Sequence, residues 1–73
     1  MEYPVIGFGI QYLDELIYCE AVMHDQSYEI RFDGKAIGVI EYTDEFTWVQ
    51  TDGMILPESI INEIGYRIES YYK

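Results

Sequence analysis

The side chains that could support catalysis or bind a metal lie between Cys19 and Ser27. His24 is the single histidine of the chain, and it precedes Ser27 by three residues. A Ser-His-Asp triad would need a carboxylate to orient this imidazole beside the hydroxyl, and Ser27 lies in a predicted loop. Glu20 and His24 share a face only if this segment is helical. Even with Asp25 and Cys19 nearby, a stable site needs three or four well-placed ligands. We therefore expect no triad, no metal site and no cofactor.

Acidic side chains are abundant but are not arranged as a catalytic pair. The adjacent carboxylates Asp14-Glu15 and Asp44-Glu45 fall in predicted turns, where acidic residues suit solvent and local hydrogen bonding. An acid–base pair of the glycosidase type needs one carboxyl in a desolvated cleft, and a chain of 73 residues leaves little room for one. The sequence predicts a protein that is not an enzyme.

The excess of negative charge restricts the classes of partner. Fourteen Asp and Glu residues face four Lys and Arg residues, for a formal charge of −10. Such a surface repels phosphate backbones and anionic lipid headgroups, so direct binding of nucleic acid or membranes is not expected. The simplest explanation of this acidity is that it keeps a small protein in solution. The alternative is mimicry, in which carboxylates stand in for nucleic-acid phosphates and block the basic groove of another protein.

Cysteine usage and the N-terminal sequence both favour a cytoplasmic location. Cys19 is the single cysteine, so no disulfide can form within the chain, which is typical of a reducing compartment. Glu2 and the lack of a basic residue ahead of the first apolar run are unlike a secretory signal. The longest uncharged run, Tyr3–Leu13, is well short of the ~20 residues that span a bilayer.

Length and composition predict one small globular domain over residues 1–73. Hydrophobic residues make up 49% of the chain and aromatic residues 16%, which is too much for intrinsic disorder. A domain of this size hides only about 60% of the surface that its unfolded chain exposes. Large aromatic rings must therefore supply much of the core.

The clearest secondary-structure signal is a C-terminal helix from about Pro57 to Tyr72. Proline suits the first helical position, and Glu58 lies near the positive end of the helix dipole. Gly65 interrupts the helix, which we interpret as a place where it packs closely on a sheet. Apolar residues recur every three or four positions and make one stripe, formed by Ile60, Ile61, Ile64, Ile68, Tyr71 and Tyr72.

Alternating apolar and polar residues predict strands ahead of the helix. Asp33-Gly34 is a strong hairpin signal between two such segments. A two-residue turn there places Ile30 opposite Ile37 and Tyr28 opposite Val39 on one face of the sheet.

Residues 14–24 fit either a strand or a helix. As a strand from about Leu16 to Met23, the segment pairs with residues 28–32 and brings Glu20 opposite Arg31. The Glu, Leu, Ala and Met residues of this segment would also suit a helix from Asp14 to His24. The strand is favoured because it provides inward pairs, namely Cys19 with Phe32, Ala21 with Ile30 and Met23 with Tyr28.

These elements predict an α+β fold, an antiparallel meander of about five strands with one C-terminal helix packed on one face. The first strand is the alternating segment that ends at Tyr12, and the last is Phe46–Thr51. With a helix at residues 14–24 instead, the order would be β-α-β-β-β-α.

The single tryptophan is predicted to lie on the sheet face opposite the helix. A three-residue loop at residues 43–45 pairs Tyr42 with Phe46 and Ile40 with Trp48, whereas a two-residue loop would turn Trp48 toward the helix. One helix cannot cover both faces of five strands, so the first register leaves an apolar patch exposed. Its members are Tyr18, Val22, Ile40, Tyr42, Phe46 and Trp48.

The C-terminal stretch combines aromatic-Thr-Trp-x-Gln, a glycine, Leu-Pro and Ile-Gly-x-x-Ile-Glu-x-x-Tyr. This pattern resembles the ending of a group of short, uncharacterised bacterial proteins, and it implies a bacterial origin but no activity. Tyr71 departs from the histidine of that ending. The matching positions are Phe46, Thr47, Trp48, Gln50, Gly53, Leu56, Pro57, Ile64, Gly65, Ile68, Glu69 and Tyr72.

The predicted function is contact with another protein or self-association, with a homodimer formed through the apolar patch. The alternative is an acidic inhibitor that mimics nucleic acid. Added salt separates the two, because an apolar contact survives screening while phosphate mimicry weakens.

Overall fold

The computed structural model describes residues 5–71, which contain five strands followed by one helix. The strands form one antiparallel sheet in sequence order, and the helix packs on one of its faces. This architecture confirms the predicted α+β meander with a C-terminal helix. The elements are β1 (Val5–Tyr12), β2 (Glu15–His24), β3 (Ser27–Phe32), β4 (Lys35–Tyr42), β5 (Trp48–Gly53) and α1 (Glu58–Tyr71).

Tight turns with positive φ angles join the first four strands. Asp33 and Gly34 have φ angles of 52° and 87°, as the predicted hairpin requires. Leu13 and Asp14 adopt the same region, with φ angles of 53° and 63°. The handedness of such turns matches the twist of the flanking strands, so short loops hold this meander together.

The ambiguous segment is a strand, and the alternative helix at residues 14–24 is wrong. β2 pairs with β1 on one side and β3 on the other, so it is the second strand of the sheet. Its register against β3 is the predicted one, with Cys19 opposite Phe32 and Glu20 opposite Arg31. Cys19 and Ala21 are fully buried. Pairing on both sides and this burial outweigh the helical propensity of the segment.

The predicted pairing between β3 and β4 is wrong beyond the turn. Tyr28 lies opposite Ile40 rather than Val39, and Ile30 does not lie opposite Ile37. A bulge leaves Ile37 as an extra residue in β4. Because side chains alternate between faces, this one-residue shift turns Ile40 toward the helix, where it is fully buried.

The loop between β4 and β5 lies one residue later than predicted. The Thr43 amide donates to the Thr47 carbonyl at 2.8 Å, and the Phe46 amide donates to the Thr43 carbonyl at 3.0 Å. Phe46 has a φ angle of 64°, so the loop is a turn followed by a left-handed residue. Tyr42 therefore pairs with Trp48 rather than with Phe46.

The Thr43 side chain explains the position of this loop. Its Oγ1 accepts hydrogen bonds from the backbone amides of Glu45 at 3.2 Å and Thr47 at 3.3 Å. The same oxygen lies 2.7 Å from Oγ1 of Thr47. A threonine that bonds the backbone ahead of it stabilises a turn at its own position, so the loop closes at Thr43.

The predicted C-terminal helix is confirmed, and Tyr72 at its predicted end lies outside the described residues. The Pro57 carbonyl accepts the first helical hydrogen bonds, from the amides of Ile60 at 3.0 Å and Ile61 at 3.1 Å. Within residues 5–71, no helix is long and apolar enough to cross a bilayer.

The core lies between α1 and the inner face of the sheet, meaning the face on which Cys19, Ile30 and Ile40 are buried. From α1, the buried residues are Ile61, Ile64, Gly65 and Ile68. The opposite face, called the outer face here, carries no helix in the described part of the chain.

Candidate interaction surface

The apolar patch predicted from the sequence is not one face of the sheet. Ile40 is fully buried and Trp48 packs against the buried core, so both lie on the inner face. Tyr18 and Val22 lie on the outer face, where Tyr18 is 54% exposed and Val22 only 8%. The homodimer predicted on this patch loses the continuous face on which it depended.

Tyr42 and Phe46 lie together at the end of the β4–β5 hairpin. The Tyr42 side chain is 43% exposed and the Phe46 side chain 79% exposed. Their ring centroids are 6.3 Å apart in an edge-to-face arrangement. Phe46 occupies a left-handed backbone position that bulky residues rarely adopt, so the turn presents its ring to solvent.

Trp48 lies against the backbone of α1. A Cβ atom added at Gly65 would be 2.3 Å from Cδ1 of Trp48, so the ring occupies the space that any larger residue would need. The indole Nε1 donates to Oε2 of Glu69 at 2.9 Å. The interpretation of Gly65 as a close-packing position is confirmed, and the partner in that contact is Trp48.

The side chains that could do chemistry are not brought together as a catalytic site. The Ser27 hydroxyl donates to the His24 carbonyl at 3.3 Å rather than to a side chain. The imidazole Nε2 of His24 lies 3.9 Å from Glu29, which also binds Arg31. Among residues 5–71, no three or more His, Cys, Asp or Glu side chains are gathered to hold a metal ion.

Cys19 should resist alkylation in the folded protein. Burial, with the neighbouring charge of Glu20, raises the pKa of its thiol to about 12, and the thiolate is the reactive species. We expect no modification by iodoacetamide at about pH 8 under native conditions and complete modification in urea. Mass spectrometry measures both. Rapid labelling without urea would mean that β2 does not hold Cys19 in the core.

A group of four exposed apolar side chains lies around β5, and a group of similar size lies on the β1–β2 hairpin. The four members lie between residues 46 and 55, on the strand and on the segments that flank it. They are Phe46 (79% exposed), Val49 (40%), Met54 (51%) and Ile55 (91%). Surface apolar residues scattered singly are ordinary, so exposure alone does not identify a contact site.

A groove of about 750 Å³ runs between β5 and the start of α1, and we call it the β5 groove. Trp48, Leu56 and Ile61 give it an apolar floor, and Ile55 stands beside it. Asp52 and Glu58 contribute carboxylates, and no basic residue lines the groove among the described residues. Its chemistry therefore suits a partner that carries both apolar and cationic groups.

Gln50 holds the β5–α1 connection in place. Its side chain lies on the inner face of β5, where Nε2 donates to the carbonyls of Asp52 and Met54. Its Oε1 accepts from the Leu56 amide at 2.9 Å. One amide thus satisfies three backbone groups of an irregular segment, which fixes the place of Ile55 beside the groove.

The backbone of β5 offers hydrogen-bonding groups on its open side. β5 is the last strand of the sheet, with a neighbour only at β4. The Thr43 amide donates to the Thr47 carbonyl, so this position is on the bonded side of the ladder, and bonded and non-bonded pairs alternate along antiparallel strands. The amides and carbonyls of Trp48 and Gln50 therefore point away from β4, toward an incoming strand.

A second, smaller cleft of about 220 Å³ lies at the other end of Trp48, and we call it the aromatic cleft. Its lining residues are Tyr28, Tyr42, Trp48, Ile68 and Glu69. The Trp48 ring centroid lies 5.0 Å from that of Tyr42 and 5.7 Å from that of Tyr28. Three rings and one carboxylate thus surround a single opening.

Several residues of this surface were not predicted from the sequence. Ile55 lies outside every segment with a periodic apolar pattern. The one sequence feature that points to it is its apolar side chain, which has no place on the helix stripe. Tyr28 was expected in the core. Gln50 and Glu69 belong to the C-terminal pattern that resembles short bacterial proteins, which was the one signal available for them.

The chain matches no protein-family model, and no curated protein or solved structure matches it significantly. The resemblance to short bacterial proteins therefore stays a prediction.

Proposed function

We propose that this protein is a non-enzymatic binding domain that captures an extended segment of another protein as an additional strand on β5. The observation that carries this proposal is the open edge of β5, bordered along its length by an apolar groove. In strand addition, backbone hydrogen bonds supply affinity and flanking pockets select the side chains.

The two edges of the sheet differ in how they are protected. Natural proteins protect edge strands from pairing with other chains by charged side chains, proline or short length. Near β1, the ion pair of Arg67 with Glu63, at 3.1 Å, lines a smaller groove of about 460 Å³. Neither β1 nor β5 contains a basic residue or a proline, so the strands themselves do not distinguish the two edges. The β5 edge is distinguished by its larger groove, which Ile55 and Ile61 line. β5 is therefore the edge that suits a partner.

The charge of the protein selects the partner segment. A second copy would bring its own charge of −10 and carboxylates such as Asp52 and Glu58 into the contact, which like-charge repulsion disfavours. A segment that alternates apolar and basic residues would bury Ile55 and place its cations near these carboxylates. The occupant is thus an extended, cationic segment of a different protein.

The decisive experiment selects peptides from a random linear library and compares matched variants. We expect enriched peptides to be apolar and basic, and to shift the backbone amide signals of residues 48–55 in NMR spectra. Ile55→Ser should raise the Kd at least about tenfold, since a buried isoleucine contributes about 1.5–3 kcal/mol. Leu16→Ser is the matched control because Leu16, 78% exposed, lies on β2, and it should leave the Kd unchanged.

Other occupants give different results in the same experiment. A concentration-dependent homodimer seen by sedimentation, with signal shifts at residues 48–55, would replace the partner by a second copy. Binding abolished by moderate salt and insensitive to Ile55→Ser would favour the nucleic-acid mimic. Equal loss of affinity in the Ile55 and Leu16 variants would exclude the β5 groove as the contact site.

Phe46→Gly separates binding from folding at the hairpin end, where Phe46 directly precedes the groove residue Thr47. Glycine adopts the left-handed position of Phe46 without the steric cost, about 1–2 kcal/mol, that other residues meet there. We expect this variant to keep or gain thermal stability while it loses affinity for the selected peptides. If this variant binds the selected peptides with unchanged affinity, Phe46 is not part of the contact.

A further inference from the structure

We propose that the aromatic cleft binds a methylated or quaternary ammonium group, carried by a small molecule or by a modified side chain. This site is separate from strand addition at β5, because its lining residues other than Trp48 lie on β3, β4 and α1. It would remain if the proposed partner of β5 proved wrong.

The rings provide the attraction for a cation. The Trp48 ring is inclined at 53° to that of Tyr42 and at 60° to that of Tyr28, so the rings do not stack face on face. With centroids 5.0–5.7 Å apart the rings contact one another directly, and together they line the opening of the cleft. A cation in that opening approaches the rings to the ~6 Å at which ring quadrupoles attract it. Aromatic cages for quaternary ammonium groups work in this way.

Negative charge at the cleft adds to this attraction. Glu69 lies on the rim and uses Oε2 to accept from Trp48 Nε1, while a carboxylate has room for further donors or a cation. Glu69 is also in the last turn of α1, where the helix dipole is negative. That turn contains no basic residue in the described helix.

The cleft favours a methylated head over a bare ammonium or a metal ion. Its base is the apolar side chain of Ile68, which is 1% exposed. A compact ammonium is strongly hydrated and loses that hydration with difficulty, whereas methyl groups are compatible with apolar walls. The volume of about 220 Å³ corresponds to roughly seven water molecules at about 30 Å³ each, enough for one such head.

The test compares choline with its neutral isostere, in which a tert-butyl group replaces the trimethylammonium head. Each is titrated at constant ionic strength while the fluorescence and the indole NMR signal of Trp48 are followed. Trp48 is the single tryptophan and lines both the aromatic cleft and the β5 groove, so the variants below assign its signals to one or the other. We expect choline to bind at least about tenfold more tightly than the isostere, and equal binding would overturn the proposal.

Two variants tie the binding to the named groups. Glu69→Gln removes the charge but keeps an oxygen for Trp48, and it should weaken choline binding about tenfold. Glu63→Gln makes the same charge change on the same helix, next to Arg67 instead, and should leave the affinity unchanged. Tyr42→Leu keeps apolar surface without a π-face and should abolish the preference for choline over the isostere.

A third comparison identifies the molecule that carries the ammonium group. Peptides with trimethyl-lysine and with unmodified lysine are compared with free choline. Tighter binding of the trimethyl-lysine peptide assigns the site to a modified protein, and equal binding of free choline assigns it to a small molecule. Similar effects of Glu69→Gln and Glu63→Gln, or no change in the Trp48 signals with any cation, would exclude the site. Ile55→Ser should affect none of these results, which separates this test from that of the β5 groove.

Discussion

Replacing Ile64 by alanine is expected to lower the free energy of unfolding by about 2–5 kcal/mol. The Ile64 side chain is fully buried, with 0% exposure, and lies midway along α1. Removing it loses buried apolar surface and leaves a cavity that the sheet cannot close. Small domains without disulfides or metals have only about 3–5 kcal/mol in total, so much of the variant should be unfolded.

Urea denaturation followed by circular dichroism measures this loss. Ile68→Ala should behave alike, because Ile68 is 1% exposed. Tyr66→Ala is the control on the same helix, since Tyr66 is 64% exposed, and its effect should stay within about 0.5 kcal/mol. Losses below about 1 kcal/mol for both isoleucine variants would mean that α1 does not close the core.

Gly65→Ala is expected to destabilise the protein by about 1–3 kcal/mol, although alanine is the better helix former by about 1 kcal/mol. The new Cβ would lie 2.3 Å from Cδ1 of Trp48 and 2.4 Å from its Nε1. The indole cannot easily move aside, because it is hydrogen-bonded to Glu69 and packed against Tyr42. Steric overlap therefore outweighs helical propensity.

The sign of the effect is the informative quantity. Asn62→Ala, at an exposed position of the same helix, should stabilise the protein by a few tenths of a kcal/mol through propensity alone. Gly65→Ala should lower the urea midpoint and shift the Trp48 emission to longer wavelength as the ring leaves the helix. Stabilisation by Gly65→Ala would show that Trp48 does not pack there.

Much of the architecture is determined by local sequence. The apolar stripe of residues 60–68 determines the buried side of α1, and Asp33-Gly34 determines the hairpin between β3 and β4. The inward partners available to Cys19 and Ala21 determine that residues 15–24 form a strand. In each case the signal lies within a few residues, or in a pairing that one short turn imposes.

The faces of β4 and β5 were decided only by the tertiary structure. Side chains alternate with a period of two, so the extra residue at Ile37 reverses the facing of Ile40 and, through the pairing with β4, of Trp48. The loop that closes at Thr43 instead of Tyr42 moves the β5 partner of Tyr42 by two residues, from Phe46 to Trp48, and leaves the facing unchanged. Bulges and loops of equal length differ too little in sequence to show which register forms. The bulge at Ile37 places Trp48 against Gly65 and brings it beside Tyr28 and Glu69. These positions are far apart in the chain, and only the packing of α1 on the twisted sheet brings them to one cleft.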